Sequence, residues 1–164
     1  MTRVEDFAWL PGAIEGMLAL ANAGFVLAVV SNQRGIARGL LSWETLGEIE
    51  AEIQSALRPH GAEIAAFRYC PHSLDADCDC RKPKPGMLLE LATTLDLDLA
   101  NSWMIGDSRS DIQAGRAAGT HTALLAPAGR SEADVTAPTL LDAADLIARK
   151  GDQVPPKNSA TSAS

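Results

Sequence analysis

Phe25-Val26-Leu27-Ala28-Val29-Val30-Ser31-Asn32-Gln33-Arg34-Gly35 is the stretch that decides the fold. Six apolar residues, three of them valine, run without a polar break. A continuous run of this length with β-branched residues predicts a strand buried in a parallel sheet. It stops abruptly at a polar loop. Upstream, Pro11-Gly12 opens a helical pattern with Ile14, Met17, Leu18 and Ala21 on one face, and Gly24 closes it. Downstream, Ser42 is placed to cap a helix carrying Leu46, Ile49, Ile53 and Leu57 at spacings of three and four.

The same alternation continues along the chain. Ile64 to Tyr69 predicts a second strand, and Met87, Leu88, Leu91 and Leu95 a helix. Trp103-Met104-Ile105 predicts a short strand, followed by a helix over Ser110 to Ala118. His121 to Leu125 is expected as the last strand and Thr139 to Lys150 as the last helix. Helices alternating with apolar strands make an α/β fold with a mainly parallel sheet. The reading gives one domain over residues 1–150 and a disordered tail over residues 151–164, rich in Pro, Ser, Asn and Lys.

Composition narrows the function. The chain has 164 residues, and its aromatic content of 4% requires an aliphatic core. Its net charge of −7 makes it a poor partner for nucleic acid, whose binding rests on neutralising phosphates. The apolar stretch from Leu10 to Val30 is interrupted by Pro11, Glu15, Asn22 and Gly24, so no membrane span is expected. Glu5 and Asp6 stand where a signal peptide needs basic residues, and the expectation is a cytoplasmic monomer.

Three polar clusters each follow a strand directly. In a parallel sheet this sets them along one carboxyl edge, where ligands bind. In the first, the Ser31 hydroxyl, the amides of Asn32 and Gln33, and the cations Arg34 and Arg38 suit an oxyanion such as phosphate. The same residues also suit an ordinary strand exit. In the second, Arg81-Lys82-Pro83-Lys84-Pro85 sets three cations in a stiff backbone, as a ligand contact or a solvated basic turn. In the third, Asp107 suits Mg2+, and Asp111 the first turn of the next helix, although both aspartates equally favour a helix start.

All three cysteines fall in one pattern, Cys70-Pro71-His72 and Cys78-Asp79-Cys80. In an extended segment, residues two apart point the same way, about 6.5–7 Å apart. Two such pairs across a short loop can offer three thiolates and one imidazole tetrahedrally, which fits a closed structural zinc site. Free thiols beside a surface histidine are the plainer alternative.

In order, these motifs resemble the haloacid dehalogenase (HAD) phosphatase superfamily, within its IIIA branch of heptose-bisphosphate and histidinol-phosphate phosphatases. Matching stretches are Leu10-Pro11-Gly12, Val30 to Gly39, Tyr69 to His72, Cys78 to Pro83 with Pro85 to Leu88, and Met104 to Ser108. The resemblance implies a Rossmannoid parallel sheet flanked by helices, with a zinc-bound loop in place of a large cap. It implies that Ser31 bonds the phosphoryl group and that Asn32, Gln33 and Arg34 line the substrate loop. Lys82 neutralises the phosphoryl charge, Arg81 and Ser108 meet substrate, Asp107 ligates Mg2+, and Cys70, His72, Cys78 and Cys80 ligate zinc. The implied substrate is a phosphorylated metabolite, foremost D-glycero-D-manno-heptose 1,7-bisphosphate at its 7-phosphate.

One family element has no counterpart. No apolar strand ending in Asp-x-Asp-Gly-Thr precedes Phe25, and neither Asp96-Leu97-Asp98 nor Asp77-Cys78-Asp79 follows such a strand. The family's central strand is therefore expected to leave an open slot between the Phe25 and Trp103 strands. Without the attacking aspartate, little turnover is expected. Three accounts of the absence stand side by side: a true start farther upstream, a fragmentary or degenerate gene, and a non-catalytic relative that binds a phosphorylated ligand or a partner.

Overall fold

A computed structural model describes residues 7–127, 129 and 131–151. Of the tail expected over residues 151–164, Gly151 ends the last helix and residues 152–164 lie outside those described. The elements, in chain order, are α1 (Ala13–Asn22), β1 (Leu27–Asn32), α2 (Trp43–Leu57), β2 (Ile64–Cys70), α3 (Gly86–Leu95), β3 (Trp103–Gly106), α4 (Arg109–Ala118), β4 (His121–Leu125), β5 (Val135–Ala137) and α5 (Leu140–Gly151). No helix among the described residues is long and apolar enough to cross a membrane.

All strand pairs are parallel, but they form two sheets: β1-β2, and β3-β4-β5. Among the described residues no strand joins β1 to β3, which agrees with the expected slot. Three details of the sequence reading need correction. The Phe25 run enters its strand only at Leu27, because Gly24 turns at φ 89° and leaves Val26 57% exposed. Every residue of β1 is also half-buried rather than buried, as expected of a strand paired on one edge only. His121–Leu125 is followed by one more strand, β5, three residues long and paired with β4.

Two apolar clusters share α1. One packs Leu20 with Ala144 and Ile147 of α5, and with Trp103 and Ile105 of β3. The other packs Leu57, Ala62 and Ile64 with Ile14, Met17, Leu18 and Ala21 of α1. Leu27 lies against both. Helix α1 and Leu27 therefore tie together two sheets that share no hydrogen-bond ladder.

The α1–α5 contact depends on Gly16. A Cβ there would sit 2.6 Å from the Leu140 carbonyl carbon and 2.7 Å from the Leu141 nitrogen, both backbone atoms. Gly16→Val is expected to force the helices apart and destabilise the protein by about 2 kcal/mol, or roughly 4–8 °C in Tm. An unchanged thermal melt would show that α5 yields without cost.

Candidate functional site at the carboxyl edge

Lys82 is where the clusters meet. Its backbone is clamped by Asn32 at the end of β1: the Lys82 N–H donates to Asn32 Oδ1 at 3.0 Å, and Asn32 Nδ2 donates to the Lys82 carbonyl at 3.0 Å. Its ammonium donates to the Val30 carbonyl at 2.8 Å and pairs with Asp111 Oδ1 at 2.7 Å. The two charged side chains are only 11% and 7% exposed. The ammonium therefore lies beside the residue preceding Ser31, fixed from β1 and from the first turn of α4.

Asp111 is held in turn by its own helix start. Ser108 caps α4, and its hydroxyl accepts from the Asp111 N–H while Asp111 Oδ2 accepts from the Ser108 N–H and hydroxyl. This reciprocal capping satisfies two of the free donors at a helix start. Gly106 makes it possible, since a Cβ there would run into the Asp111 carboxyl group. One oxygen of Asp111 thus anchors the β3–α4 loop and the other anchors Lys82.

The remaining residues fall around this centre. Ser31 Oγ accepts from Gln33 Nε2 at 3.0 Å, and the Gln33 N–H donates to the Cys70 carbonyl. Arg34 is exposed on the loop beyond. The Asn32 amide is committed to the Lys82 backbone. Asp107 is exposed just after β3, and its carboxylate makes no hydrogen bond or ion pair among the described residues. Arg81 Nη2 donates to the His72 carbonyl, and its buried Nε has no partner among the described residues.

The four metal-type ligands converge. Cys70 Sγ, His72 Nδ1, Cys78 Sγ and Cys80 Sγ all lie within 4.8 Å of one another. Tetrahedral zinc with ordinary bond lengths needs edges of about 3.8 Å between sulfurs and about 3.6 Å from sulfur to nitrogen. Cys70 stands 3.7 Å from Cys78 and 3.6 Å from His72, and His72 stands 3.2 Å from Cys80. Burial and the neighbouring Cys70 and Cys78 sulfurs push the Cys80 thiol up to about 12. A bound cation reverses that repulsion, so the donor set fits a soft divalent metal.

Sequence reasoning missed the Lys82–Asp111 pair and the Asn32 clamp. The usable signal was only that three loops directly follow three parallel strands, β1, β2 and β3.

Comparison with known proteins supplies the lineage. A family model described as HAD-hydrolase-like matches residues 79–150. The D-glycero-beta-D-manno-heptose-1,7-bisphosphate 7-phosphatase of Photorhabdus laumondii is 37% identical over 154 residues, covering 87% of this chain and 82% of that protein. The chain belongs to the HAD-like hydrolases. The Pseudomonas putida protein of the same name is 38% identical over 122 residues, covering 74% of this chain and 70% of its own length. Among solved HAD structures, the D,D-heptose 1,7-bisphosphate phosphatase of B. bronchiseptica, complexed with magnesium and phosphate, superposes with a TM-score of 0.81. Its identity is 32%, covering 91% of this chain and 88% of that one. A second such phosphatase, from Burkholderia thailandensis, gives 0.65 at 27% identity, covering 88% and 89%.

Proposed function

We propose that this chain grips the phosphate ester of a small sugar at the Ser31–Lys82–Asp107 rim. The substrate of that framework is D-glycero-D-manno-heptose 1,7-bisphosphate, at its 7-phosphate. The observation that carries the reading is the Lys82 ammonium, fixed by Asp111 and the Val30 carbonyl beside Ser31. A cation held this firmly loses little entropy when an anion arrives. The names of the relatives and the magnesium and phosphate of the B. bronchiseptica structure support the choice of substrate class.

In this reading the Ser31 hydroxyl and loop N–H groups donate to phosphoryl oxygens, and Lys82 neutralises them. Gln33 and Arg34 line the loop, and Ser108 borders the ligand. The orphaned Arg81 Nε is a buried donor whose desolvation cost an anionic oxygen would offset. Cys70, His72, Cys78 and Cys80 hold zinc as a structural centre. The uncommitted Asp107 carboxylate fits Mg2+, with water and phosphate oxygens as the other ligands. When bound, Mg2+ supplies charge to the phosphoryl oxygens. The protein acts as a cytoplasmic monomer.

The chemistry itself needs an attacking carboxylate, and among the described residues none stands in an Asp-x-Asp at a strand end. The 164-residue chain by itself therefore binds phosphate but releases little from heptose bisphosphate. The firmly held Lys82 cation serves equally a second reading, a non-catalytic binder of phosphorylated ligands. Calorimetry with inorganic phosphate and Mg2+ tests the binding: Asp107→Asn should weaken it about tenfold in the presence of Mg2+, since one charged ligand is lost, and leave Mg2+-free binding alone. Phosphate that fails to bind removes both readings. Brisk release of phosphate from the bisphosphate would mean that another group attacks phosphorus.

A further inference from the structure

One apolar feature on the same rim has no part in the phosphate grip. Trp43, the first residue of α2, is 56% exposed, and Leu40, three residues before it, is 50% exposed. The helix start does not need the indole there, because Ser42 caps α2 with its own side chain, accepting from the Thr45 N–H at 3.1 Å. Trp43 instead rests edge-on against Tyr69, with ring centroids 6.3 Å apart at 63°. Tyr69 is the register partner of Ser31 across β1 and β2. Burial and the Glu50 carboxylate hold the Tyr69 proton in place, so that ring is a fixed, neutral backing.

The loop between Ser31 and Trp43 is folded back toward β2. The N–H groups of Leu40 and Leu41 donate to the Gly35 carbonyl, and that of Ala37 to the carbonyl of Pro71. Its cations, Arg34 and Arg38, are exposed. A flat aromatic face thus borders a phosphate-type loop and its arginines. Pyranose rings carry C–H groups of slight positive charge on one face, which complement the negative face of an indole. An acyclic or inorganic phosphate has nothing to place there.

We propose that Trp43, backed by Tyr69, is the sugar-stacking residue of this site: it takes the C–H face of a pyranose whose phosphate sits at Ser31 and Lys82. The assignment rests on the phosphate-binding reading above and names the residue that meets the sugar ring. It makes Trp43 a specificity-determining residue and gives it no share in holding phosphate.

Calorimetric titration of the whole chain with three probes separates the possibilities: inorganic phosphate, glycerol 3-phosphate and D-mannose 6-phosphate. The hexose phosphate should bind more tightly than the other two. Trp43→Ala should weaken it about tenfold, leave both other affinities unchanged and hold the Tm. Trp43→Phe should restore most of the loss. Equal losses for all three probes would show that Trp43 only shapes the loop, and no loss for the hexose phosphate would show that it does not meet sugar; either overturns the assignment. If inorganic phosphate binds wild type and Lys82→Met alike, or neither, the phosphate reading itself fails and takes this one with it.

Discussion

Cys78→Ser should strip the chain of its zinc and lower its Tm by about 10 °C. Elemental analysis of the wild type is expected to give about one zinc per chain. Removing only a supporting partner of a metal ligand costs 10–100-fold in affinity, so losing a thiolate should exceed about 100-fold. Metal bound to the folded state and not to the unfolded one adds several kcal/mol of stability. At about 2–4 °C per kcal/mol for a protein of this size, that is the expected shift. Chelation of the wild type should reproduce it. The effect should also travel. Cys80 directly precedes Arg81 and Lys82, and Arg81 is tied back to the His72 carbonyl, so the metal loop sets the approach of Lys82 to the rim. Phosphate affinity should fall with the metal. Full zinc content in Cys78→Ser, or a melt indifferent to chelation, would remove the metal from the site.

That site was legible in the sequence because its geometry is local. Ligands two residues apart on an extended segment share a direction whatever the rest of the fold does. The helices were legible for the same reason: α1, α2 and α3 carry their apolar faces at helical spacing, and Ser42 caps as its residue type dictates. Two strand details were not. Phe25 and Val26 extend the apolar run through the turn after Gly24, so hydrophobicity alone put the strand start too early. Val135-Thr136-Ala137 is too short to show a period and exists because β4 offers it an edge, with the Ala126 N–H donating to the Ala137 carbonyl beyond it.

Contacts between distant segments were the least legible. Nothing near Asn32 announces that its amide will clamp a backbone fifty residues later, and nothing near Asp111 separates a helix-capping carboxylate from one that also pairs with Lys82. Each residue satisfied a local rule, and the second use became visible only when Lys82 bridged the carboxyl end of β1 and the start of α4. The open slot is the converse case. A strand buried on both faces reads as continuous apolar sequence, as β1 does, yet its residues are only half-buried because one flank has no ladder among the described residues. The run Leu27-Ala28-Val29-Val30 is more apolar than its surroundings require.

Lys82→Met should cost about 3–5 kcal/mol of stability and abolish phosphate binding. Both charges of the Lys82–Asp111 pair are buried, and removing one leaves the other without a counter-charge in a site that water barely reaches. Asp111 would keep its bonds from Ser108 but lose the cation on its other oxygen. Asp111→Asn tests the pair from the opposite side. Its amide can still accept from Ser108 through Oδ1, but it then turns an N–H donor toward the ammonium, so a comparable loss is expected. If the penalty is that of an orphaned charge, removing both charges should cost less than the two single losses added together. The double variant Lys82→Met/Asp111→Leu should therefore show a coupling of about 1–3 kcal/mol in denaturant unfolding. Phosphate binding separates the roles. It should vanish wherever Lys82 is lost, including in the double variant whose stability recovers. It should persist, weakened about tenfold, in Asp111→Asn, where the ammonium remains but is no longer anchored. Strict additivity would mean that the two side chains are held by their surroundings rather than by each other, and the rim would lose the fixed cation on which its function is built.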